Sequence, residues 1–294
     1  MSKPYLATPA RTREIMEKYH FAFKKSLGQN FIVDLNILRN IIHHAGIDQH
    51  SGVIEIGPGF GALTEQLAIH AEKVIAFEID QRLLPILAET LKDYDNIHII
   101  HQDILKADIH QAIETHFRPD QNIHIVANLP YYITTPILMK VLTDRLPIEN
   151  MTIMIQKEVA DRIAAQPNNK HYGSLSIAVQ YYTRAEVVMN VPKTVFKPEP
   201  NVESSVLKLT MRKEPPVQVV DEDLFFSVVR ACFAHRRKTI RNNLTRFDTD
   251  PAFKQAIDDI FNQANMAGSR RAESLTMAEF AQLANAIASF RFQD

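Results

Sequence analysis

The stretch Val53-Ile54-Glu55-Ile56-Gly57-Pro58-Gly59-Phe60-Gly61-Ala62-Leu63-Thr64 joins a short apolar run to a helical pattern through a turn holding three glycines. An apolar run of this length, ended by Gly and Pro, reads as a buried strand. Without Cβ atoms, the turn can bring backbone amides against a ligand at the N-terminus of the next helix. Working outward, Val- and Ile-rich runs recur at 74–79, 97–100, 123–127 and 151–155, separated by segments of helical spacing. This rhythm predicts a parallel βαβ sheet. The runs are apolar on both alternations, as in Val74-Ile75-Ala76-Phe77, which fits strands covered by helices on both faces. Two further runs, Glu186–Val191 and Ser205–Met211, lack a crossover helix between them and predict an antiparallel hairpin closing one edge.

Beyond Met211 the pattern changes. Lys213-Glu214-Pro215-Pro216 breaks regular structure, and after Val220 only helical spacing remains, with one apolar stripe at Leu224, Phe225, Val228, Val229 and Cys232 and another at Phe280, Leu283, Ala284, Ile287 and Phe290. The expected organisation is a basic segment at 1–26, an α/β domain at 27–212 and a small all-helical domain at 213–294. With 46% hydrophobic and 23% charged residues in 294, the chain carries enough apolar material for a real core, which excludes disorder over most of its length. The single cysteine, Cys232, excludes an internal disulfide and points to a reducing compartment, the cytosol. The twelve histidines show no ligand spacing, so no metal is expected. The longest stretch free of charge, Gln121–Met139, contains Asn122, His124, Asn128, Pro130 and Pro136, a load that a bilayer excludes. Pro4, Pro9, Arg11, Arg13, Glu14 and Glu17 stand where a secretory peptide needs an apolar core.

The net charge of -1 says nothing about nucleic acid, but local clustering does. Arg230, Arg236, Arg237, Lys238, Arg241 and Arg246 fall in an acid-free stretch, read as one basic helix of about four turns. Without intrahelical partners, these cations suit a phosphate backbone. The N-terminal segment adds Lys3, Arg11, Arg13, Lys18, Lys24 and Lys25 against Glu14 and Glu17.

The chemistry gathers at strand ends. Gly57 and Gly59 follow the first run, Glu78 ends the second, Asp103 follows the third and Asn128-Leu129-Pro130-Tyr131 follows the fourth. An open α/β sheet binds its ligands along that edge. The spacing Gly57-x-Gly59-x-x-Ala62 with Glu78 also satisfies a dinucleotide fingerprint, so a nicotinamide enzyme stays in play. An acid for two ribose hydroxyls, a second for an adenine amine and a neutral third position suit S-adenosylmethionine better. The tetrapeptide has its own reading, because an exocyclic adenine amine is a poor nucleophile whose lone pair is delocalised into the ring. The Asn128 side-chain oxygen and a backbone carbonyl at Leu129 or Pro130 can accept its two hydrogens, with Pro130 fixing the backbone. Tyr131 then stacks on an extruded or single-stranded base.

Five strings carry a resemblance: Leu27-Gly28-Gln29-Asn30-Phe31, Glu55-Ile56-Gly57-Pro58-Gly59, Asn128-Leu129-Pro130-Tyr131-Tyr132, Phe196-Lys197-Pro198-Glu199-Pro200-Asn201-Val202-Glu203-Ser204 and Arg236-Arg237-Lys238-Thr239. Together they make the sequence, from Lys25 to Leu244, resemble the bacterial 16S ribosomal RNA adenine dimethyltransferases, the kasugamycin-sensitivity enzymes. The resemblance implies a Rossmann-like class I methyltransferase sheet and S-adenosylmethionine contacts at Asn30, Ile32, Gly57, Gly59, Glu78, Asp103 and Asn128. It also implies an adenine sandwiched by Tyr131 and Phe196, and dimethylation of two adjacent adenosines near the 3′ end of 16S rRNA by a monomer acting on a 30S or pre-30S particle. Arg230, Arg236, Arg237, Lys238 and Arg241 are the expected RNA contacts. Ile32 stands where Leu is commoner in the family, and Glu203 where Asp is. The rivals are a 23S rRNA adenine methyltransferase of the antibiotic-resistance type, the nicotinamide enzyme and a noncatalytic assembly factor.

Overall fold

The structure, a computed structural model, describes residues 5–24 and 27–291. Its elements run in the order α1 (Pro9–Lys18), β1 (Phe31–Ile32), α2 (Leu35–Ala45), β2 (Gly52–Ile56), α3 (Ala62–His70), β3 (Lys73–Glu78), α4 (Leu84–Thr90), β4 (Ile97–His101) and α5 (Ile109–His116). There follow β5 (Ile123–Asn128), α6 (Thr134–Thr143), β6 (Asn150–Gln156), α7 (Lys157–Ala164), α8 (Ser174–Tyr182), β7 (Thr183–Val191), β8 (Phe196–Lys197) and β9 (Ser204–Met211). Four helices end the chain: α9 (Glu222–Phe233), α10 (Ile240–Phe247), α11 (Pro251–Gln263) and α12 (Met277–Arg291). No helix among the described residues is long and apolar enough to cross a membrane.

The chain divides into two compact units, one of residues 1–160 and 184–211, the other of 161–183 and 212–294. The first is built on a seven-stranded sheet of order β4-β3-β2-β5-β6-β9-β7. β2, β3, β4, β5 and β6 pair in parallel, and β9 runs antiparallel to β6 from Asn150 opposite Thr210 to Gln156 opposite Ser204. The antiparallel edge is present, with the later strand β9 inside and β7 outermost. Each parallel strand is buried almost throughout except β4, the other edge. Two-sided covering explains the unbroken apolar runs. Strand order reverses between β2 and β5, and this switch point opens a crevice at the carboxyl ends. The register sets Ile56 opposite Ala127, so Gly57 and Asn128 leave the sheet side by side.

The core joins Leu38, Ile41 and Ile42 of α2 to Val53, Leu67, Val74, Val126, Met154 and Val206. A second cluster holds Leu6, Ile15, Phe21, Phe60, Leu83, Ile86, Leu87 and Leu91, so the described residues of the N-terminal segment pack into this unit. Burying such side chains contributes about 1.5–3 kcal/mol each. Two of its cations are paired: Arg11 meets Glu14 at 2.5 Å and Lys18 meets Glu89 at 2.5 Å. Lys3 and Lys25 lie outside the described residues.

The second unit differs from the expected 213–294 by taking in 161–183. Tyr172, Ile177 and Tyr181 are buried with Phe225, Val228, Val229, Cys232 and Phe280, and the Tyr172 hydroxyl donates to the Leu275 carbonyl at 3.0 Å. Pro215-Pro216 marks one crossing between units in the sequence. The others fall inside α7 and at the start of β7, where no breaker residue stands.

Candidate active site

The turn after β2 has Gly57 at φ +73° and Gly59 at φ +59°, a region in which an L side chain costs about 1–2 kcal/mol. A Cβ on Gly57 meets nothing within 4 Å, whereas one on Gly59 lies 2.6 Å from the ring of Phe31. Phe31 in turn stacks on Phe60 at 4.1 Å, so the turn is gripped by rings on one side and open to the crevice on the other. α3 starts without a side-chain cap, which leaves first-turn amides to a ligand.

Glu78, 4% exposed, accepts from the Asp80 N–H at 2.7 Å. Burial raises its carboxyl above the usual range, and hydrogen bonds from the backbone of Asp80, Gly59 and Ile79 oppose that. The same carboxylate therefore tethers the glycine turn to the end of β3. Asp80 is held down at about 2, first by the Arg82 side chain and further by Gln29. Its 2.9 Å bond from Gln29 Nε2 fixes the Leu27–Asn30 loop across the crevice. Asp103 accepts from the Leu105 N–H at 3.0 Å. Glu55, at 1% exposure, has Oε2 without a hydrogen-bond partner among the described residues. Burial pushes its carboxyl up to about 8, with Glu78 adding to the rise.

Asn128 ends β5 and donates from Nδ2 to the Asn30 carbonyl at 2.9 Å. A carbonyl only accepts, so the amide nitrogen must face Asn30 and Oδ1 faces the other way. Pro130 follows, and its carbonyl accepts from both the Ile133 N–H at 3.2 Å and the Thr134 hydroxyl at 3.1 Å. Both lone pairs of the Pro130 carbonyl are thereby engaged. Tyr131, half-buried, is hydrogen-bonded to the Ser204 hydroxyl at 2.8 Å, and burial raises its phenol above the usual value.

One crevice is lined by Leu27, Gly28, Gln29, Asn30, Ile32, Gly57, Gly59, Glu78, Asp103, Asn128, Leu129, Pro130, Tyr131 and Tyr132. Phe196 is not among its walls. It sits on β8 opposite Ile32, 1% exposed inside the core. Sequence reasoning passed over Leu6, Thr12, Ile79, Gln102 and Ile104, which also line the crevice. Ile79, 53% exposed beside Glu78, had a visible signal: an apolar residue at the ligand edge of a strand.

The expected basic helix is two helices. α9 stops at Phe233 and α10 starts at Ile240, capped by Thr239 accepting from the Asn242 N–H. Asn243 ties them by donating to the Cys232 carbonyl at 2.6 Å. Nor are all the cations free. Arg230 donates to Ser227, Arg236 to the Lys170 and Tyr172 carbonyls at 2.9 and 3.1 Å, and Arg241 forks onto Asp258 at 3.0 and 2.8 Å. Arg237 and Lys238 are exposed on the connection, with no partner among the described residues.

Residues 20–283 match the model of the family described as ribosomal RNA adenine dimethylase. A protein named ribosomal RNA small subunit methyltransferase A from Oceanobacillus iheyensis is 65% identical over 281 residues, 96% of each chain. One of the same name from a Geobacillus strain is 62% identical over 283 residues, 96% of this chain and 97% of that one. Among solved structures, a dimethyladenosine transferase from Plasmodium falciparum superposes with a TM-score of 0.72 at 26% identity, covering 86% of this chain and 95% of the other. The 23S rRNA methyltransferase ErmE gives 0.65 at 26% identity, covering 88% and 99%. With a parallel sheet, a glycine turn and an Asn-Leu-Pro-Tyr strand end on one crevice, this chain belongs to the ribosomal RNA adenine dimethylase family.

Proposed function

We propose that this chain dimethylates N6 of two adjacent adenosines near the 3′ end of 16S rRNA, acting as a cytoplasmic monomer on a 30S or pre-30S particle with S-adenosylmethionine as donor. The single observation that carries the reading is the Asn128 amide, pinned through its nitrogen by the Asn30 carbonyl so that its oxygen faces the other way, at the strand end that Leu129 continues. Two acceptors side by side at a strand end match the two hydrogens of an exocyclic amine. The residues suit the donor: a buried carboxylate at Glu78 for a ribose diol, an open glycine at Gly57, an exposed apolar face at Ile79 for a flat ring and Asp103 for its amine. Asn30 and Ile32 close the crevice from the opposite side, and Gly59 keeps the turn narrow. S-adenosylmethionine supplies a methyl group already activated by its sulfonium.

Asn128 and Leu129 then accept the two N–H bonds of the target amine and draw its lone pair out of conjugation. Pro130 and its doubly bonded carbonyl hold these acceptors in place, and preorganised dipoles of this kind need no rearrangement during reaction. Tyr131, anchored to Ser204, offers its ring to the base. No side-chain nucleophile is needed, since in-line transfer rests on proximity and charge placement. Arg237 and Lys238 are the strongest candidates for phosphate, and Arg230, Arg236 and Arg241 join them only by giving up or sharing their present partners.

The test is to incubate the protein with labelled S-adenosylmethionine and unmethylated small subunits, with 23S rRNA alongside, and map the modified bases. Two dimethylated adenosines in 16S rRNA are expected. Label confined to 23S rRNA supports the antibiotic-resistance type instead, and no label in either overturns the reading.

A further inference from the structure

Two of the exposed large apolar residues also line the crevice, Ile79 and Tyr132. Ile79 follows Glu78 on the side given to the donor. Tyr132 belongs to the other side, directly after Tyr131 in the chain, yet the two tyrosines differ. Tyr131 is half-buried with its hydroxyl held by Ser204, whereas Tyr132 is 58% exposed and its hydroxyl has no partner among the described residues. The Tyr132 ring is nevertheless backed by structure. A Cβ placed on Gly28 would stand 3.3 Å from Cδ1 and 3.5 Å from Cε1 of that ring, so the ring rests against a loop that Gln29 and Asp80 hold across the crevice. A large, braced, solvent-facing ring at the mouth of a cleft is the form that a stacking platform takes.

We infer that Tyr132 stacks on the adenine adjacent to the one being methylated, outside the acceptor pair of Asn128 and Leu129. The inference rests on the proposed function, because it needs a substrate in which two adenosines are neighbours. Extruding one base exposes a face of the next, and a ring one residue along from the base-facing Tyr131 is placed to cover it. The platform recognises a purine face and not a hydrogen-bonding edge, so the aromatic ring matters and the phenol does not. It also keeps the second adenosine at the mouth while the first is modified, which shortens the exchange between them.

The test compares the full-length protein with Tyr132→Ala and Tyr132→Phe on unmethylated small subunits. Loss of one stacked base should raise KM for the particle by about tenfold in Tyr132→Ala, with less than a twofold fall in kcat, and should leave particles in which only one of the two adenosines is modified. Tyr132→Phe should restore both KM and the paired product. Thermal unfolding and calorimetry with S-adenosylmethionine should give the same values for all three proteins. A Tyr132→Ala protein with the original KM and fully paired product overturns the inference, as does a Tyr132→Phe protein as impaired as the alanine variant. A loss of donor affinity in Tyr132→Ala also overturns it, by moving the residue to the other side of the cleft. If the unsubstituted protein modifies no adenosine at all, the proposed function fails first, and that result is distinct from the others.

Discussion

Asn128 is oriented by a bond that has nothing to do with a substrate: the Asn30 carbonyl takes its nitrogen, and the freed oxygen becomes a fixed acceptor. Replacing it by alanine removes one of two preorganised acceptors, which in comparable sites costs about 10²-fold or more in kcat. Asn128→Ala should therefore still bind S-adenosylmethionine in calorimetry while single-turnover methyl transfer falls by at least that factor. Glu55 yields a second expectation. Its carboxyl titrates at about 8 when folded, against a usual 4.5, so between those values the folded chain keeps a proton that the unfolded chain has lost. Stability then falls as pH rises through that window, by at most about 1.4 kcal/mol per unit, and levels off above it. Thermal unfolding at pH 5, 6.5 and 8 should show a steeper decline for the unsubstituted chain than for Glu55→Gln. Gly57, Glu78, Asp103 and Asn128 were legible because strand ends announce themselves in sequence, and register brings those ends together. The burial of Phe196 was not, since a motif specifies that a ring is present without saying which way it faces. That Ile133 and Thr134 already bond to the Pro130 carbonyl is likewise invisible in the motif.

At the scale of elements, the parallel strands were read from composition alone because burial on both faces forces apolar residues at every position. β1 and β8 went unread, two residues each being too short for any period to register. The N-terminal segment was read by its charges, and its apolar residues decide its fate. Phe21 is 8% exposed, packs edge-on against Phe60 at 5.0 Å and Phe31 at 6.1 Å and lies under the Arg82 guanidinium at 4.7 Å. Truncating a buried Phe costs about 3–5 kcal/mol. Phe21→Ala should lower the free energy of unfolding measured with denaturant by an amount in that range and, because Phe31 and Phe60 flank Gly59, also weaken donor binding. A variant with full stability would mean that the segment after α1 does not hold this place in solution.

For the whole molecule, a net charge of -1 leaves no general attraction for RNA, so affinity must come from a few local cations. Counting charges along the chain overstates them, because Arg236 and Arg241 are occupied by carbonyls and by Asp258, partners distant in sequence that no reading of residues 230–246 reveals. Each cation that neutralises a phosphate contributes about 0.7–0.9 to the slope of log K against log salt. Arg237→Ala and Lys238→Ala should each flatten that slope by about this amount in filter binding to unmethylated small subunits, and the double variant by the sum. Arg241→Ala removes a cation already paired with an exposed carboxylate, a pair that water and salt screen. Its slope should change by less than half as much, with thermal unfolding almost unmoved. Equal slopes for all four variants would show that RNA affinity does not reside in the connection between α9 and α10, and a larger effect from Arg241 would mean that Asp258 yields its partner to phosphate on binding.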